Sequence, residues 1–114
     1  MITAFYNENE IECREWVISE KKMYPVDLYG ECLRKGEDYI TMFSTGLADI
    51  KKRKIFFDDL LKINDTLYRV VGINGAVAFV DPKTGDFWNY ACNLATNHYG
   101  VIVGNIHENH QLIV

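Results

Sequence analysis

The sequence predicts a mainly β fold, all-β or β-rich α+β. It places an antiparallel meander that curls into a small, partly open barrel in the C-terminal half, with an N-terminal β subdomain packed on it. Three observations predict this. Two hairpin signals, Asn64-Asp65 and Asn74-Gly75, punctuate the stretch from Asp59 to Asp81 at the spacing of short strands. Aromatic residues make up 13% of the chain, mostly Tyr and Phe, and flat rings suit a pleated surface. No apolar pattern of helical period runs for a useful length.

Taken in order, residues 12 to 18 form the first strand candidate. Residues 23 to 33 form a second, interrupted by Pro25 and Gly30. Gly36-Glu37-Asp38 is a turn into the β-branched and aromatic run Tyr39-Ile40-Thr41-Met42-Phe43. Residues 45 to 54 are polar or charged apart from Leu47, Ala48 and Ile50. The chain therefore reads as one domain, 1–114, with approximate subdomains 1–45 and 55–114 joined by a connector at 46–54.

The two hairpin signals set a register. Ile63 faces Thr66 and Leu61 faces Tyr68; across the second turn Ile73 faces Ala76, Val71 faces Ala78 and Val70 faces Phe79. Because side chains alternate, one sheet face carries Asp59, Leu61, Ile63, Thr66, Tyr68, Val70, Gly72, Val77, Phe79 and Asp81, and is the expected core. The other carries Leu60, Lys62, Leu67, Arg69, Val71, Ile73, Ala76, Ala78 and Val80. A free-standing antiparallel sheet normally shows a polar outer face, so this second, largely apolar face is expected to be covered by N-terminal strands or by another subunit. Asp81-Pro82-Lys83-Thr84-Gly85-Asp86 turns the chain back into Phe87-Trp88-Asn89-Tyr90. A short helical turn is expected within 90–97. The strand Val101-Ile102-Val103 then meets Gly104, a sign of a bulge or a close backbone approach.

At 114 residues, with 48% hydrophobic and 25% charged side chains, the chain buries roughly 65% of its unfolded surface, enough to fold without staples. A net charge of −4 and a pI near 5.3 argue against duplex binding, which draws its affinity from phosphate neutralisation. Only Lys51-Lys52-Arg53-Lys54 concentrates cations, and a solvated connector is the plain reading of that run. Cys13, Cys32 and Cys92 are widely spaced and form no CxxC, which excludes a zinc knuckle or a thioredoxin-like motif and suits a reducing cytoplasm. The start of the chain has no cationic, apolar leader, and no stretch is long enough to span a bilayer.

Catalytic chemistry is not visible. His107 and His110, with Glu108 or Asp49, are the one metal candidate, but His-x-x-His misses the same-face helical spacing of four, and surface histidines are the plain reading. Cys92 and His98 make a nominal nucleophile pair that nothing orients, so Cys92 reads as a buried structural thiol. Asp58 and Asp59 adjoin on a strand and point apart. Asp59 and Asp49 read as carboxylates that accept local N–H groups. No phosphate-cradling loop occurs, and Phe87, Trp88 and Tyr90 have no flanking cations that would make them a platform for single strands.

Four segments in order resemble the YopX-like family of phage and prophage proteins, over almost the whole length. Arg14-Glu15-Trp16 with Lys21-Lys22-Met23 resembles that family's Arg-x-Trp and Lys-Lys-Met opening. Thr45-Gly46-Leu47-Ala48-Asp49 resembles its Thr-Gly-Leu-x-Asp. Ile55-Phe56-Phe57-Asp58-Asp59-Leu60-Leu61 aligns without a gap to Ile-Tyr-Glu-Gly-Asp-Ile-Val, and Gly104-Asn105-Ile106-His107-Glu108-Asn109 to Gly-Asn-Ile-Tyr-Glu-Asn. The chain departs from the pattern at Val17 (Asp), Lys51-Lys52 (Asn-Gly), Asp58 (Gly), His107 (Tyr) and His110 (Pro). At Lys51-Lys52 a tight positive-φ turn is therefore not expected. The resemblance implies a mostly β fold of two subdomains, a phage or prophage origin, homo-oligomerisation and no known reaction. The expectation is a non-enzymatic, cytoplasmic protein with no cofactor, binding copies of itself and a host or phage protein. The signature residues Arg14, Trp16, Thr45, Gly46, Leu47, Asp49, Asp59, Gly104, Asn105, Glu108 and Asn109 are then structural. The alternative is a small-barrel nucleic-acid module in which Lys51, Lys52, Arg53 and Lys54 track phosphates, with Lys62 or Arg69 nearby.

Overall fold

The structure is a computed structural model and describes residues 13–25, 38–95 and 99–113. Its contacts divide the chain into two compact units, Met1–Ser44 and Thr45–Val114. The first contains β1 (Cys13–Val17), β2 (Lys22–Pro25) and the start of β3 (Tyr39–Ala48). β1 pairs antiparallel with β2, setting Trp16 opposite Met23, and with β3, setting Trp16 opposite Ile40. The rest of the strand expected over 23–33, most of the turn at 36–38, Cys32 and His98 lie outside the described residues. Val17, which stands where the family pattern has Asp, is fully buried, as its apolar side chain requires.

The second unit is the meander. β4 (Lys54–Phe56), β5 (Asp59–Ile63), β6 (Thr66–Ile73), β7 (Ala76–Val80), β8 (Phe87–Tyr90) and β9 (Val101–Asn105) follow in order, with 3-10 turns at Ala91–Asn93 and, after β9, at His110–Leu112. Five of them form one antiparallel sheet in the order β8-β7-β6-β5-β9, and β4 lies beside β3. The register is the one the hairpin signals set: Ile63 opposite Thr66, Leu61 opposite Tyr68, Ile73 opposite Ala76 and Val70 opposite Phe79. Both hairpin tips adopt positive φ at both central residues, Asn64-Asp65 as well as Asn74-Gly75. That is the type I′ geometry matching the twist of the flanking strands.

The face expected to be the core is the core. Leu61, Ile63, Val70 and Phe79 cluster with Ile55, Ala91 and Tyr99. The second face is not bare either. Leu60, Ala78 and Val80 are buried, Val71 and Ile73 are half-buried, and Lys62 is exposed.

The connector expected at 46–54 is not a linker. β3 runs on to Ala48 and β4 starts at Lys54, so only residues 49 to 53 lie between strands. Residue polarity misled in part: Lys51 and Lys52 are solvated, but the Asp49 and Arg53 side chains are polar because they hydrogen-bond to the fold.

Candidate functional site

The Thr45–Asp49 signature is built to deliver one carboxylate. Thr45 Oγ1 donates to the Ile55 carbonyl at 2.8 Å and accepts the Leu47 amide at 3.1 Å, tying the end of β3 to β4. The Asp49 side chain is fully buried. Its Oδ1 accepts the amides of Lys51 at 3.0 Å and Arg53 at 2.8 Å. Its Oδ2 accepts Arg53 Nε at 3.0 Å and the amide of Ile102 in β9 at 3.0 Å. Arg53 Nη2 lies 2.9 Å from the same oxygen and donates to the Ile102 carbonyl at 2.8 Å. Burial alone raises the Asp49 pKa, but the Ile102 and Arg53 amides and the Arg53 guanidinium outweigh it, and the carboxyl is held below the usual carboxylate range.

A depressed carboxylate stabilises the fold above its unfolded pKa, near 3.9, and that stabilisation drains away as pH falls through the folded value. The urea midpoint is therefore expected to drop between about pH 5 and pH 2, with part of the drop missing in Asp49→Asn. Asp81, held low by the amides of Lys83 and Thr84, acts in the same window in both proteins, so the difference isolates Asp49.

The 49–53 loop keeps the tight turn that Lys51-Lys52 made unexpected. Lys52 sits at φ +65 and donates its amide to the Asp49 carbonyl at 2.9 Å. The bonds to Asp49 hold the turn, and a non-glycine residue bears the strain. Left-handed geometry costs about 1–2 kcal/mol, and glycine returns roughly 0.4–1 kcal/mol of that through unfolded-state entropy. Lys52→Gly is thus expected to raise stability by about 0.5–1 kcal/mol in urea titration.

The Gly104–Asn109 signature is a second self-contained knot. The buried Asn105 accepts the amides of His107 at 3.0 Å and Glu108 at 2.8 Å on Oδ1, and its Nδ2 donates to Glu108 Oε1 at 2.9 Å. Asn109 Oδ1 accepts the Asn105 amide at 3.1 Å. Gly104 makes room: a Cβ there would lie 2.3 Å from Asn109 Oδ1. The pairing of β5 with β9 shifts register at the same place, so the bulge and the close approach coincide. Asp59, also buried, accepts the Phe56 amide at 2.8 Å across the β4–β5 turn.

Two departures from the family pattern meet in space. Asp58, at φ +76, accepts Arg69 Nε at 3.1 Å and Nη2 at 2.8 Å on Oδ1, and His107 Nε2 lies 3.5 Å from its Oδ2. His107 is therefore largely buried beside a carboxylate, not a surface histidine, whereas His110 is exposed. Cys92 is exposed, not the buried thiol its apolar neighbours suggested, because the 3-10 turn buries Ala91 instead. Among the described residues no three His, Cys, Asp or Glu side chains converge to hold a metal ion. Nor is any helix among them long and apolar enough to cross a membrane.

The second unit leaves several large apolar side chains open among its polar surface residues. Trp88 stacks on Tyr68 with ring centroids 4.3 Å apart and reaches Phe79 at 6.3 Å. Trp88 also lines a groove of about 460 Å³ with Ile50, Ile63, Leu94 and Val101, and the polar Lys62 and Asn64 belong to the same lining. Phe87, Ile50 and Val103 are exposed. Of the cations weighed for phosphate contact, Lys51 and Lys52 are exposed, Lys54 is half-buried in β4, and Arg53 and Arg69 are committed to Asp49 and Asp58.

The pattern of the family described as YopX protein matches residues 3–114. The chain belongs to the YopX family. Among solved structures, this YopX chain is similar to protein EF1440 from Enterococcus faecalis, with a TM-score of 0.62 and 20% identity, covering 90% of this chain and 97% of that one. At that identity the likeness is one of fold. No curated protein matches. In the YopX chain the sequence reading missed Arg53 as the partner of Asp49 and missed the groove. Ile50, an apolar residue alone in a charged loop, was the available signal for the groove.

Proposed function

We propose that this YopX-family chain is a non-enzymatic accessory protein of phage or prophage origin, working in the host cytoplasm through self-association and through binding a host or phage protein. One observation carries the reading. The buried polar side chains Asp49, Asp59 and Asn105 are spent on backbone groups of the second unit, while its open surface offers Trp88, Phe87, Ile50, Val103 and the groove. Ile50 and Trp88 share the groove, and an open apolar groove of this kind suits an interaction surface. The alternative, phosphate tracking by residues 51–54, loses support because Arg53 bridges Asp49 to β9.

Light scattering on the eluting protein tests the assembly half. The expected mass is a multiple of 13.2 kDa at micromolar concentration, falling toward one chain in Phe87→Asp, which puts a charge on the exposed aromatic edge. A wild-type protein that elutes as a single 13.2 kDa chain, and from which no purified candidate partner is retained, removes the proposal.

A further inference from the structure

β9 ends the five-stranded sheet, yet its outer edge is not open. The Ile102 amide is taken by Asp49 Oδ2 at 3.0 Å, the Ile102 carbonyl by Arg53 Nη2 at 2.8 Å, and the Gly100 carbonyl by the Ile50 amide at 2.9 Å. An acceptor and two donors at this spacing are what a neighbouring strand would supply. The 49–53 loop therefore occupies the place of a sixth strand with two side chains and one amide. What it covers is hazardous. Tyr99-Gly100-Val101-Ile102-Val103-Gly104-Asn105-Ile106 carries no charge, contains three consecutive β-branched residues and has no proline, and Val103 is 39% exposed. An uncharged β-branched edge with free N–H and C=O groups is a template for another strand.

We infer that the Asp49–Arg53 loop is an edge guard, and that when it is opened β9 pairs antiparallel with β9 of a second copy. A second copy fits because two such segments brought together about a two-fold axis oppose no like charges and match apolar side chains, whereas nothing on this edge attracts a charged foreign strand. The pairing is separate from the native association proposed above. It is read as a change from wild type, so it stands or falls whether wild type is one chain or several.

The test compares wild type with Asp49→Asn, which cannot keep both acceptor oxygens, and Arg53→Gln, which removes the guanidinium but leaves the carboxylate. Each is also made with Val103→Lys, a charge placed on the strand whose edge the loop covers. Light scattering is expected to give about a twofold rise in mass, or larger assemblies, for the single variants, and a return to the wild-type mass when Val103→Lys is added. Hydrogen exchange should show the Ile102 amide losing protection in Asp49→Asn carrying Val103→Lys, where no second strand replaces the carboxylate, while the Val70 and Phe79 amides keep theirs. If Asp49→Asn fails to fold, Arg53→Gln carries the test alone. Folded variants that keep the wild-type mass overturn the inference. So does a gain in mass that Val103→Lys leaves untouched, since that association is not through this edge.

Discussion

Asp49→Ala is expected to lower the stability of the protein by about 3–4 kcal/mol, with the urea midpoint shifting and the m-value holding. The size follows from what the carboxylate satisfies. It accepts three backbone amides, Lys51, Arg53 and Ile102, and the Arg53 guanidinium. A buried donor left without its acceptor costs about 1–3 kcal/mol. The Arg53 side chain is about half exposed and can turn to water, so the loss is carried by the amides and not by the ion pair. Asp49→Asn, which keeps one carbonyl oxygen, should fall between. A loss under about 1 kcal/mol for Asp49→Ala would show that water replaces the carboxylate and that the signature does not hold the loop.

Gly100→Ala is expected to cost about 3 kcal/mol or more. A Cβ there would sit 2.2 Å from the Lys62 carbonyl oxygen and 2.8 Å from Ile63 Cγ1, at a φ of +74. The obstacle is backbone of the adjacent strand β5, which cannot swing aside, so β9 must lift off the sheet. Gly85 supplies the control: its φ is +79, but nothing lies within 4 Å of its Cβ direction. Gly85→Ala should cost only the left-handed strain, about 1 kcal/mol. Thermal or urea unfolding of the pair separates strain from collision, and equal losses would refute the steric account.

The meander was legible because its information is local. Asn74-Gly75 fixes a turn, the turn fixes a register, and the period of two then sorts every side chain from Asp59 to Val80. Asn64-Asp65 worked the same way, since Asn and Asp tolerate left-handed geometry. The 49–53 loop was not legible, because what makes it rigid is Ile102, far away in sequence. Lys52 carries no local mark of positive φ at all. Asp58 and His107 are the most telling case. Each looked like an isolated departure from the family pattern, a Gly lost at one place and a Tyr at the other. In space they face each other beside Arg69, at a single contact. Only the fold could show that the two positions are neighbours.

The two tryptophans fall one to each unit. Trp16 lies buried in the first, and Trp88, 39% exposed and stacked on Tyr68, in the second. The chain thus carries a separate intrinsic fluorophore in each half. Trp16→Phe leaves an emitter that reports on the meander, and Trp88→Phe one that reports on the N-terminal strands. Their unfolding curves, overlaid, reveal whether the halves melt as one cooperative body or in sequence.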